Sequence, residues 1–292
     1  MDMSGRKLLL GRRIQIDLLT HSKLAIVFDE DRVFNKIYTD AKECARNEYD
    51  FIVLNEFNYK SIKTKIKYFR KLPFVCLFGY FIGPDRNQIE FSFAAVNDVF
   101  KLGHSAEELK IISKPYLDQK KSQANTIESL PNRVFVTIAV GGFDPSRTYA
   151  HWIELVKLID AEKNVALPSL VVLLGSENGL EMARALINTK YERIQVISFV
   201  AKISLLDSRD IIGNSVLFIG ADGGLMHVAH TTDTPSVTLF GSEPTYLRLT
   251  PSCNSIGIQS RLACSEISPE TVMAALKEKF NVLRPTPLHA DP

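Results

Sequence analysis

The chain has 292 residues, of which 46% are hydrophobic and 23% are charged, and its formal net charge is +2 at pH 7. This composition is typical of a soluble globular protein with room for two domains. The near-neutral charge gives no support to a nucleic-acid partner, and no apolar run approaches the roughly 18–20 residues that span a bilayer.

The N-terminal stretch "MDMSGRKLLLGRRIQID" has only three consecutive leucines as its apolar segment, which is too short for a secretory signal. The four cysteines lie far apart, with no C-x-x-C pair and no histidine at ligand spacing: Cys44, Cys76, Cys253 and Cys264. This pattern predicts neither a disulfide framework nor a zinc site. We therefore expect a cytoplasmic protein that binds no metal.

In the first half, short apolar runs alternate with stretches of helical periodicity. The pattern predicts strands at 14–19, 34–38, 51–54 and 74–78, and helices at 40–48, 60–71 and 92–101. The polar stretch 113–131 has prolines near both ends, which predicts a linker. The expected organisation is a domain at 1–120, a second domain at 130–280 and a tail at 281–292.

The stretch 59–72 contains six basic residues and no acidic one. On a helix, Ile62, Ile66 and Phe69 share one face, and four lysines share another: Lys60, Lys63, Lys67 and Lys71. Two interpretations of this basic face remain open. It is either an ordinary solvated surface or a surface that attracts anionic phosphates or a charged membrane leaflet, by about 1 kcal/mol per basic residue.

The second half is more regular, with apolar β-branched runs separated by helical stretches. Strands are predicted at 133–140, 169–175, 194–199, 215–220 and 236–241, and helices around 152–159 and at 177–188, 204–212 and 223–229. Continuous apolar strands are typical of a parallel sheet that helices cover on both faces. Right-handed crossovers then bring the loops at Gly141, Gly175 and Gly220 to the same edge.

The sequence Asp222-Gly223-Gly224 lies between a predicted strand and a predicted helix, with His227 one turn into the helix. The free N–H groups and positive dipole end of such a helix attract phosphate. Asp222 is placed to cap the helix, a role worth about 1 kcal/mol, and His227 either reaches the same anion or packs between helix and sheet. Neither a P-loop nor a G-x-G-x-x-G fingerprint is present. The spacing therefore predicts a phosphate site of another kind.

The stretch "IGADGGLMHVAHTTDTPSVTLFGSEP" (219–244) resembles the signature block of the ADP-heptose:lipopolysaccharide heptosyltransferases, in which D-[TS]-G-x-x-H-x-A precedes a strand ending F-G. Four further stretches resemble blocks of that family in the same order: "VFVTIAVGGFDPSRTYAHWIELVKLI", "SLVVLLGSENGLEMARAL", "VAKISLLDSRDIIGNSVLFIGADGG" and "ISPETVMAAL". The resemblance covers residues 133–280 well and residues 49–61 more faintly.

The resemblance implies an α/β fold of GT-B type, with two Rossmann-like, doubly wound parallel-sheet domains. In that family the C-terminal domain holds the nucleotide-sugar and the N-terminal domain holds the acceptor. The implied reaction is an inverting, metal-independent transfer of a heptose or related sugar, with no cofactor. The donor is an ADP-sugar, and the acceptor is an anionic lipid-linked saccharide, the lipopolysaccharide or lipooligosaccharide core, met at the cytoplasmic face of the inner membrane.

Carried over by position, the resemblance also implies a set of donor-site residues. These are Gly141 and Gly142 below the phosphates, Lys202, Ser204 and Glu177 or Glu181 along the nucleotide, and Asp222, Gly223, Gly224 and His227 at the diphosphate and sugar.

Three features depart from the pattern of that family. Gly223 stands where the family usually has Thr or Ser, and Ala150 stands where it commonly has a lysine, so we expect Arg147 to supply that charge instead. The first strand of the family and its loop with the candidate base have no counterpart in this sequence. Glu56, at the end of a predicted strand, is either a substitute base or an ordinary surface glutamate.

Other functions remain open from the sequence. The chain is a diverged enzyme, the product of a truncated reading frame, or a catalytically impaired nucleotide-sugar-binding homologue. A GT-B nucleotide-sugar epimerase would need further acidic and histidine residues beside Asp222 and His227. The segment Asp29-Glu30-Asp31 has the D-x-D form of a metal-dependent transferase, but its polar surroundings favour a solvated turn.

Overall fold

The computed structural model describes residues 8–9, 12–29, 31–78, 87–117, 128, 130–163, 165 and 167–283. The chain separates into two compact units, Met1–Lys120 and Lys121–Pro292. Most of the predicted linker at 113–131 and nearly all of the predicted tail lie outside the described residues. No helix in the described ranges combines the length and the apolar character that a bilayer crossing requires.

The N-terminal unit is built from short strand pairs and helices. Its strands are β1 (Leu8–Leu9), β2 (Arg12–Arg13), β3 (Asp17–Leu19), β4 (Lys36–Tyr38), β5 (Ile52–Glu56) and β6 (Phe74–Phe78). Its helices are α1 (Ser22–Phe28), α2 (Ala41–Cys44), α3 (Tyr59–Tyr68), α4 (Gln88–Phe100) and α5 (Ala106–Ile112). β1 pairs with β2 antiparallel, whereas β3 pairs with β4 and β5 with β6 in parallel, as expected where strands and helices alternate.

The sequence pattern did not predict α1 or α5, and it overestimated the first strand. α5 begins with a capping box, in which Ser105 Oγ accepts the Glu108 N–H at 3.2 Å and Glu108 Oε2 accepts the Ser105 N–H at 2.8 Å. This S-x-x-E spacing is a known start signal for a helix. The N-cap of α1 is His21, which is not a favoured cap residue. The strand expected at 14–19 is limited to the three residues that pair with β4.

Helix α3 differs from the prediction for 60–71 in two respects. It ends at Tyr68, so Lys71 lies in the turn that follows and not on the helix. Ile66, expected on an apolar face, is 58% exposed, whereas Phe69 is buried just beyond the last helical residue. Ile66 therefore shares the exposed surface with Lys63, its neighbour at i−3.

The C-terminal unit contains one six-stranded parallel sheet. Its strands are β7 (Phe135–Ala139), β8 (Leu170–Leu174), β9 (Gln195–Ser198), β10 (Leu217–Ala221), β11 (Ser236–Phe240) and β12 (Ser255–Gln259). They lie in the order β9-β8-β7-β10-β11-β12. This is the order of a doubly wound, Rossmann-like sheet, in which the strand order switches between β7 and β10. The five predicted strands are confirmed, and β12 is an addition.

Apolar layers cover both faces of this sheet. The helices are α6 (Trp152–Ala161), α7 (Leu180–Asn188), α8 (Leu205–Asn214), α9 (Gly224–Ala229), α10 (Thr245–Arg248) and α11 (Pro269–Leu283). One layer joins Val136 and Ile138 to α6, α7 and α11, and the other joins Phe135 and Phe218 to α8 and α9. Burial on both faces explains why these strands are continuous apolar runs in the sequence.

The loops that follow β7 and β8 approach each other closely. Gly141 has φ +89°, and a Cβ built there would lie 2.8 Å from the Cα and N atoms of Gly179. A Cβ at Gly175, where φ is +156°, would lie 2.4 Å from the Val140 carbonyl oxygen. Only glycine combines a positive φ with so close an approach. The expected convergence of Gly141 and Gly175 is confirmed, whereas Gly220 lies inside β10 and not in a loop.

Candidate functional site

Asp222 directly follows β10, at the carboxyl edge of the sheet beside the switch point. Its backbone N–H donates to the Leu239 carbonyl oxygen at 2.8 Å, which continues the pairing with β11. The side chain is completely buried, and neither carboxylate oxygen has a hydrogen-bond partner among the described residues. The N-cap of α9 is Gly223, with no side-chain hydrogen bond, so the expectation that Asp222 caps the helix is wrong.

Two arginines flank the buried carboxylate. The Nε atom of Arg147 lies 3.7 Å from Asp222 Oδ2, and the Nε atom of Arg248 lies 3.5 Å from Asp222 Oδ1. Both Nε atoms are buried, yet the side chains are 33% and 25% exposed, so the exposed surface of each arginine belongs to its other atoms. The carboxylate attracts both guanidinium groups, and the three side chains together carry one net positive charge.

The two arginines reach this place from different loops. Arg147 ends a short 3₁₀ turn after β7, and Arg248 ends α10, between β11 and β12. Two hydrogen bonds fasten the loop of Arg147: Ser265 Oγ donates to the Thr148 carbonyl oxygen at 2.7 Å, and His151 Nε2 donates to the Ser265 carbonyl oxygen at 2.9 Å. Both loops meet at one edge because both follow the carboxyl ends of parallel strands.

His227 lies on α9, partly buried, near the same charges. Burial is the largest cause that lowers its pKa; the Arg248 guanidinium lowers the pKa further, Asp222 raises it, and Arg147 adds a smaller lowering effect. The imidazole is therefore neutral at pH 7, with one nitrogen as donor and the other as acceptor. A contact between His227 and the donor sugar or diphosphate stays a prediction.

His230, which follows the last residue of α9, is buried, and both its ring nitrogens have partners. Nδ1 lies 3.1 Å from Thr250 Oγ1, and Nε2 lies 3.3 Å from Ser255 Oγ. Burial lowers the pKa of His230 to about 4, with a smaller contribution from His227. The neutral ring thus ties the end of α9 to the start of β12.

We expect the stability of the protein to fall as the pH drops below 6.5. The unfolded imidazole binds a proton near pH 6.5, whereas the folded one stays neutral until about pH 4. The unfolded state therefore binds more protons in this window, and acid favours unfolding. His230 should remove about 1.5 kcal/mol of unfolding free energy between pH 6.5 and 5, which urea denaturation at a series of pH values measures.

Two histidine variants separate this effect from other titrations. His230→Gln should lose this part of the pH dependence, while His104→Gln, which changes an exposed histidine, should retain it. The same pH dependence in His230→Gln and in the unmodified protein would contradict the assignment.

The glycines expected at the phosphates differ in what the fold demands of them. Gly223 has an extended backbone that any residue adopts, and a Cβ there would meet the Ala221 carbonyl oxygen only at 3.8 Å. A Cβ at Gly224 would have no described atom within 4 Å. At Gly142, by contrast, a Cβ would lie 2.7 Å from Thr148 Oγ1. The fold therefore leaves room for Thr or Ser at position 223.

The residues expected along the nucleotide lie after the carboxyl ends of β8 and β9. Glu177 begins a 3₁₀ turn and is exposed. Lys202 Nζ donates to the Ser198 carbonyl oxygen at 3.0 Å, and the Ser204 hydroxyl is engaged in the capping box of α8. Their contact with a nucleotide stays a prediction.

Within the part of the chain that the structure describes, no three His, Cys, Asp or Glu side chains form a group that could hold a metal ion. None of the four cysteines forms a disulfide bond in the described part of the chain. In the D-x-D segment, Glu30 lies outside the described residues. Asp31 is buried, and its Oδ1 accepts the Val33 N–H at 2.7 Å, so it stabilises a turn and is not solvated as expected.

The residues expected at the acceptor lie in the N-terminal unit. Glu56 ends β5 as an exposed carboxylate whose Oε2 accepts a hydrogen bond from Asn58 Nδ2 at 3.0 Å. The exposed lysines of the basic face are Lys60, Lys63 and Lys67 on α3 and Lys71 in the following turn. The Lys63 ammonium lies 5.5 Å from the ring centre of the exposed Tyr59. Catalytic and acceptor roles for these residues stay predictions.

The sequence motifs did not identify Arg248. It lies in "EPTYLRL", which contains no pattern of a phosphate site. The signal that could have found it is topological, because the loop after β11 reaches the same sheet edge as the loop after β10.

The chain resembles known proteins both in sequence and in structure. The model of glycosyltransferase family 9 (heptosyltransferase) matches residues 79–275, and no curated protein matches the chain. The structure of a glycosyl transferase family 9 protein from Veillonella parvula has a TM-score of 0.71 at 15% identity, over 92% of this chain and 88% of that one. E. coli ADP-heptose lps heptosyltransferase II has a TM-score of 0.68 at 18% identity, over 92% and 90%. E. coli heptosyltransferase WaaC with ADP has a TM-score of 0.64 at 14% identity, over 91% and 90%.

At these identities the structural matches bear on the fold alone, and they confirm an α/β fold of GT-B type. The family match carries more, because it spans well over half of the 292 residues and includes the arginine pair and Asp222. This chain is a glycosyltransferase that belongs to glycosyltransferase family 9, the heptosyltransferases.

Proposed function

We propose that this glycosyltransferase moves a heptose or related sugar from an ADP-sugar to the core saccharide of a lipopolysaccharide or lipooligosaccharide. The transfer is inverting and independent of metal. The observation that carries the proposal is the charged group of Arg147, Arg248 and Asp222 at the edge of the C-terminal sheet.

The position of this group supports a nucleotide-sugar as ligand. Doubly wound sheets bind ligands outside the carboxyl ends of their strands, at the switch point, and the loops after β7 and β10 carry Gly141, Arg147 and Asp222. Guanidinium groups remain charged at neutral pH and bind phosphate through paired hydrogen bonds. A positive group here would stabilise the diphosphate as its charge grows during transfer.

The relatives support the choice of nucleotide and sugar. One is named as an ADP-heptose heptosyltransferase and another was solved with ADP. We therefore expect ADP-heptose as the first donor to test. The acceptor hydroxyl needs a general base, and Glu56, an exposed carboxylate at the end of β5, is the first residue to test for that role.

Calorimetry with ADP, UDP and GDP tests the donor. We expect ADP to bind most tightly, with an affinity that is the same in EDTA and in magnesium, because the arginines supply the positive charge. A clear preference for UDP or GDP would contradict the proposed donor. Binding that EDTA abolishes and magnesium restores would contradict the metal-independent transfer.

The basic face on and after α3 supports an anionic acceptor at a membrane surface. Lysine clusters are attracted to anionic lipids, and exposed Tyr59 and Ile66 add apolar contact area beside Lys63 and Lys67. We propose that this surface meets the inner membrane peripherally and holds the phosphate-bearing acceptor there.

We expect charge reversal at three of these lysines, Lys60→Glu, Lys63→Glu and Lys67→Glu, to weaken binding to anionic liposomes by about tenfold at 0.15 M salt. A sedimentation assay with anionic and neutral vesicles at two salt concentrations measures the change. The matched control reverses three exposed lysines elsewhere in the same unit: Lys23, Lys42 and Lys110. Equal effects of the two triple variants would show that net charge alone matters, and the basic face would then be an ordinary solvated surface.

A further inference from the structure

We propose that Arg248 is a second phosphate-binding residue for the donor, beside Arg147, and that the buried carboxylate of Asp222 positions both arginines. This inference rests on the proposed function, because the ligand it assumes is the nucleoside diphosphate of the donor. It concerns three side chains of the C-terminal unit only.

The contacts of Asp222 with the two arginines are nearly symmetric. Each oxygen of Asp222 faces the Nε atom of a different arginine, Oδ2 at 3.7 Å and Oδ1 at 3.5 Å. One carboxylate thus orients two guanidinium groups from opposite oxygens. Arg147, the arginine expected at the phosphate, and Arg248 therefore flank the same carboxylate.

The buried carboxylate of Asp222 depends on the two arginines for compensation of its charge. Burying an ionised carboxylate is costly unless cations and hydrogen bonds compensate it. Asp222 is completely buried and has no hydrogen-bond partner among the described residues, so the two arginines are its compensation. Both contacts are longer than the roughly 2.7–2.9 Å of a charge-assisted hydrogen bond. The carboxylate attracts the arginines without locking either one into a close ion pair.

Both arginine side chains remain partly accessible to a ligand. With both Nε atoms buried against Asp222, the exposed third of Arg147 and the exposed quarter of Arg248 lie on their remaining atoms. A guanidinium group carries five N–H donors in a planar fork that fits phosphate oxygens. Two such groups that flank one carboxylate match a ligand with two phosphate groups. Both arginines also lower the pKa of His227, so their charges act on one place.

The competing explanation is that Arg248 only neutralises Asp222, while Arg147 alone binds phosphate. Calorimetry with ADP and with adenosine distinguishes the two. We expect Arg248→Ala to weaken ADP binding by about ten- to a hundredfold and to leave adenosine binding within about twofold, since adenosine has no phosphate. Arg248→Lys, which keeps the charge without the fork, should fall between Arg248→Ala and the unmodified protein. Arg184→Ala, on the exposed side of α7, is the control for a lost arginine.

The outcomes are separable from those of the proposed function. If the unmodified protein binds ADP and Arg248→Ala binds it equally well, the inference is overturned and the proposed function stands. If the unmodified protein binds no ADP, the proposed donor fails, and the inference fails with it. Thermal unfolding of each variant shows whether it is folded. If Arg248→Ala does not fold, the ADP affinity of Arg248→Lys tests the inference instead.

A double-mutant cycle tests the positioning role of Asp222. In the Asp222→Asn background the attraction that orients both arginines is lost, so Arg248→Ala should cost less than about threefold in ADP affinity. Asp222→Glu, which keeps the charge, should bind ADP more tightly than Asp222→Asn. The positioning role would be overturned by two results together. The affinity losses of Arg248→Ala and Asp222→Asn would multiply in the double variant, and Asp222→Glu and Asp222→Asn would bind ADP equally well.

Discussion

Replacing Arg147 with alanine should weaken ADP binding by about ten- to a hundredfold, because a charge-assisted hydrogen bond contributes about 1.5–3 kcal/mol. The side chain lies at the carboxyl edge of the sheet, next to Asp222 and one third exposed, where the diphosphate is expected. Calorimetry with ADP measures the change in affinity. Thermal unfolding of the variant shows whether the fold is retained.

The rate of sugar transfer should fall more than the affinity does. If Arg147 stabilises the leaving diphosphate, its contact strengthens as charge develops, and the rate at saturating donor should drop by about a further hundred- to thousandfold. Arg147→Lys should retain part of the rate, and the control variant Arg184→Ala should leave the rate unchanged. An unchanged ADP affinity in Arg147→Ala would mean that the arginine serves only as a counter-ion of Asp222.

Gly141→Ala should lower the unfolding free energy by about 4 kcal/mol. A residue with a side chain at a left-handed φ costs about 1–2 kcal/mol, and overpacking against fixed backbone adds about 1–3 kcal/mol. Gly141 combines a φ of +89° with a Cβ position only 2.8 Å from the backbone of Gly179. Urea denaturation gives the free energy, and the slope with urea concentration shows whether unfolding remains two-state.

The matched control is Gly224→Ala, in the first turn of α9. A Cβ there would have no described atom within 4 Å, and alanine reduces the freedom of the unfolded chain, so this variant should gain a few tenths of a kcal/mol or stay unchanged. Similar losses in the two variants would show that the close approach of Gly141 and Gly179 does not account for the effect.

The sheet of the C-terminal unit was predictable because both its faces are buried. β7, β8, β10 and β11 are largely apolar runs, a pattern typical of parallel strands that are buried on both faces. The sequence pattern did not predict β12, which is an edge strand. Its sequence, "SIGIQ", has Gly257 at its centre and polar residues at both ends. Packing against β11, and not its own composition, makes it a strand.

The candidate site was predictable in part. The motif around Asp222 lies within one short segment, so spacing alone marked it. The partner on the far side, Arg248, follows 26 positions later in a loop without a motif, and only the strand order brings the two together. The prediction that Asp222 caps α9 is wrong for a related reason. The carboxylate faces Arg147 and Arg248 instead, and no sequence pattern near Asp222 indicates these two contacts.

The N-terminal unit was predicted less well because its elements are short and half-exposed. Helical periodicity placed Ile66 on a buried face, but α3 ends at Tyr68 and buries Phe69 beyond its own last turn. Because these elements bury little apolar area, a shift of one or two residues in the end of a helix changes which side chains are exposed.

The strand order of the C-terminal unit also bears on how the protein is made. β8 and β9 both come before β10 in the chain, yet β10 is the other neighbour of β7: Thr137 Oγ1 of β7 donates to a carbonyl oxygen of β10 that lies 80 residues further along the chain. At a synthesis rate of roughly 5–20 residues per second, the ribosome needs roughly 4–16 seconds to deliver that stretch. Once β8 and β9 have been made, a sheet that still lacks β10 leaves the backbone of β7 unpaired along one edge, open to wrong pairing. The strand that pairs with this edge also brings Asp222 to Arg147, so the nascent chain covers the open edge of β7 and joins two parts of its candidate site in the same step, before β11 and β12 are added.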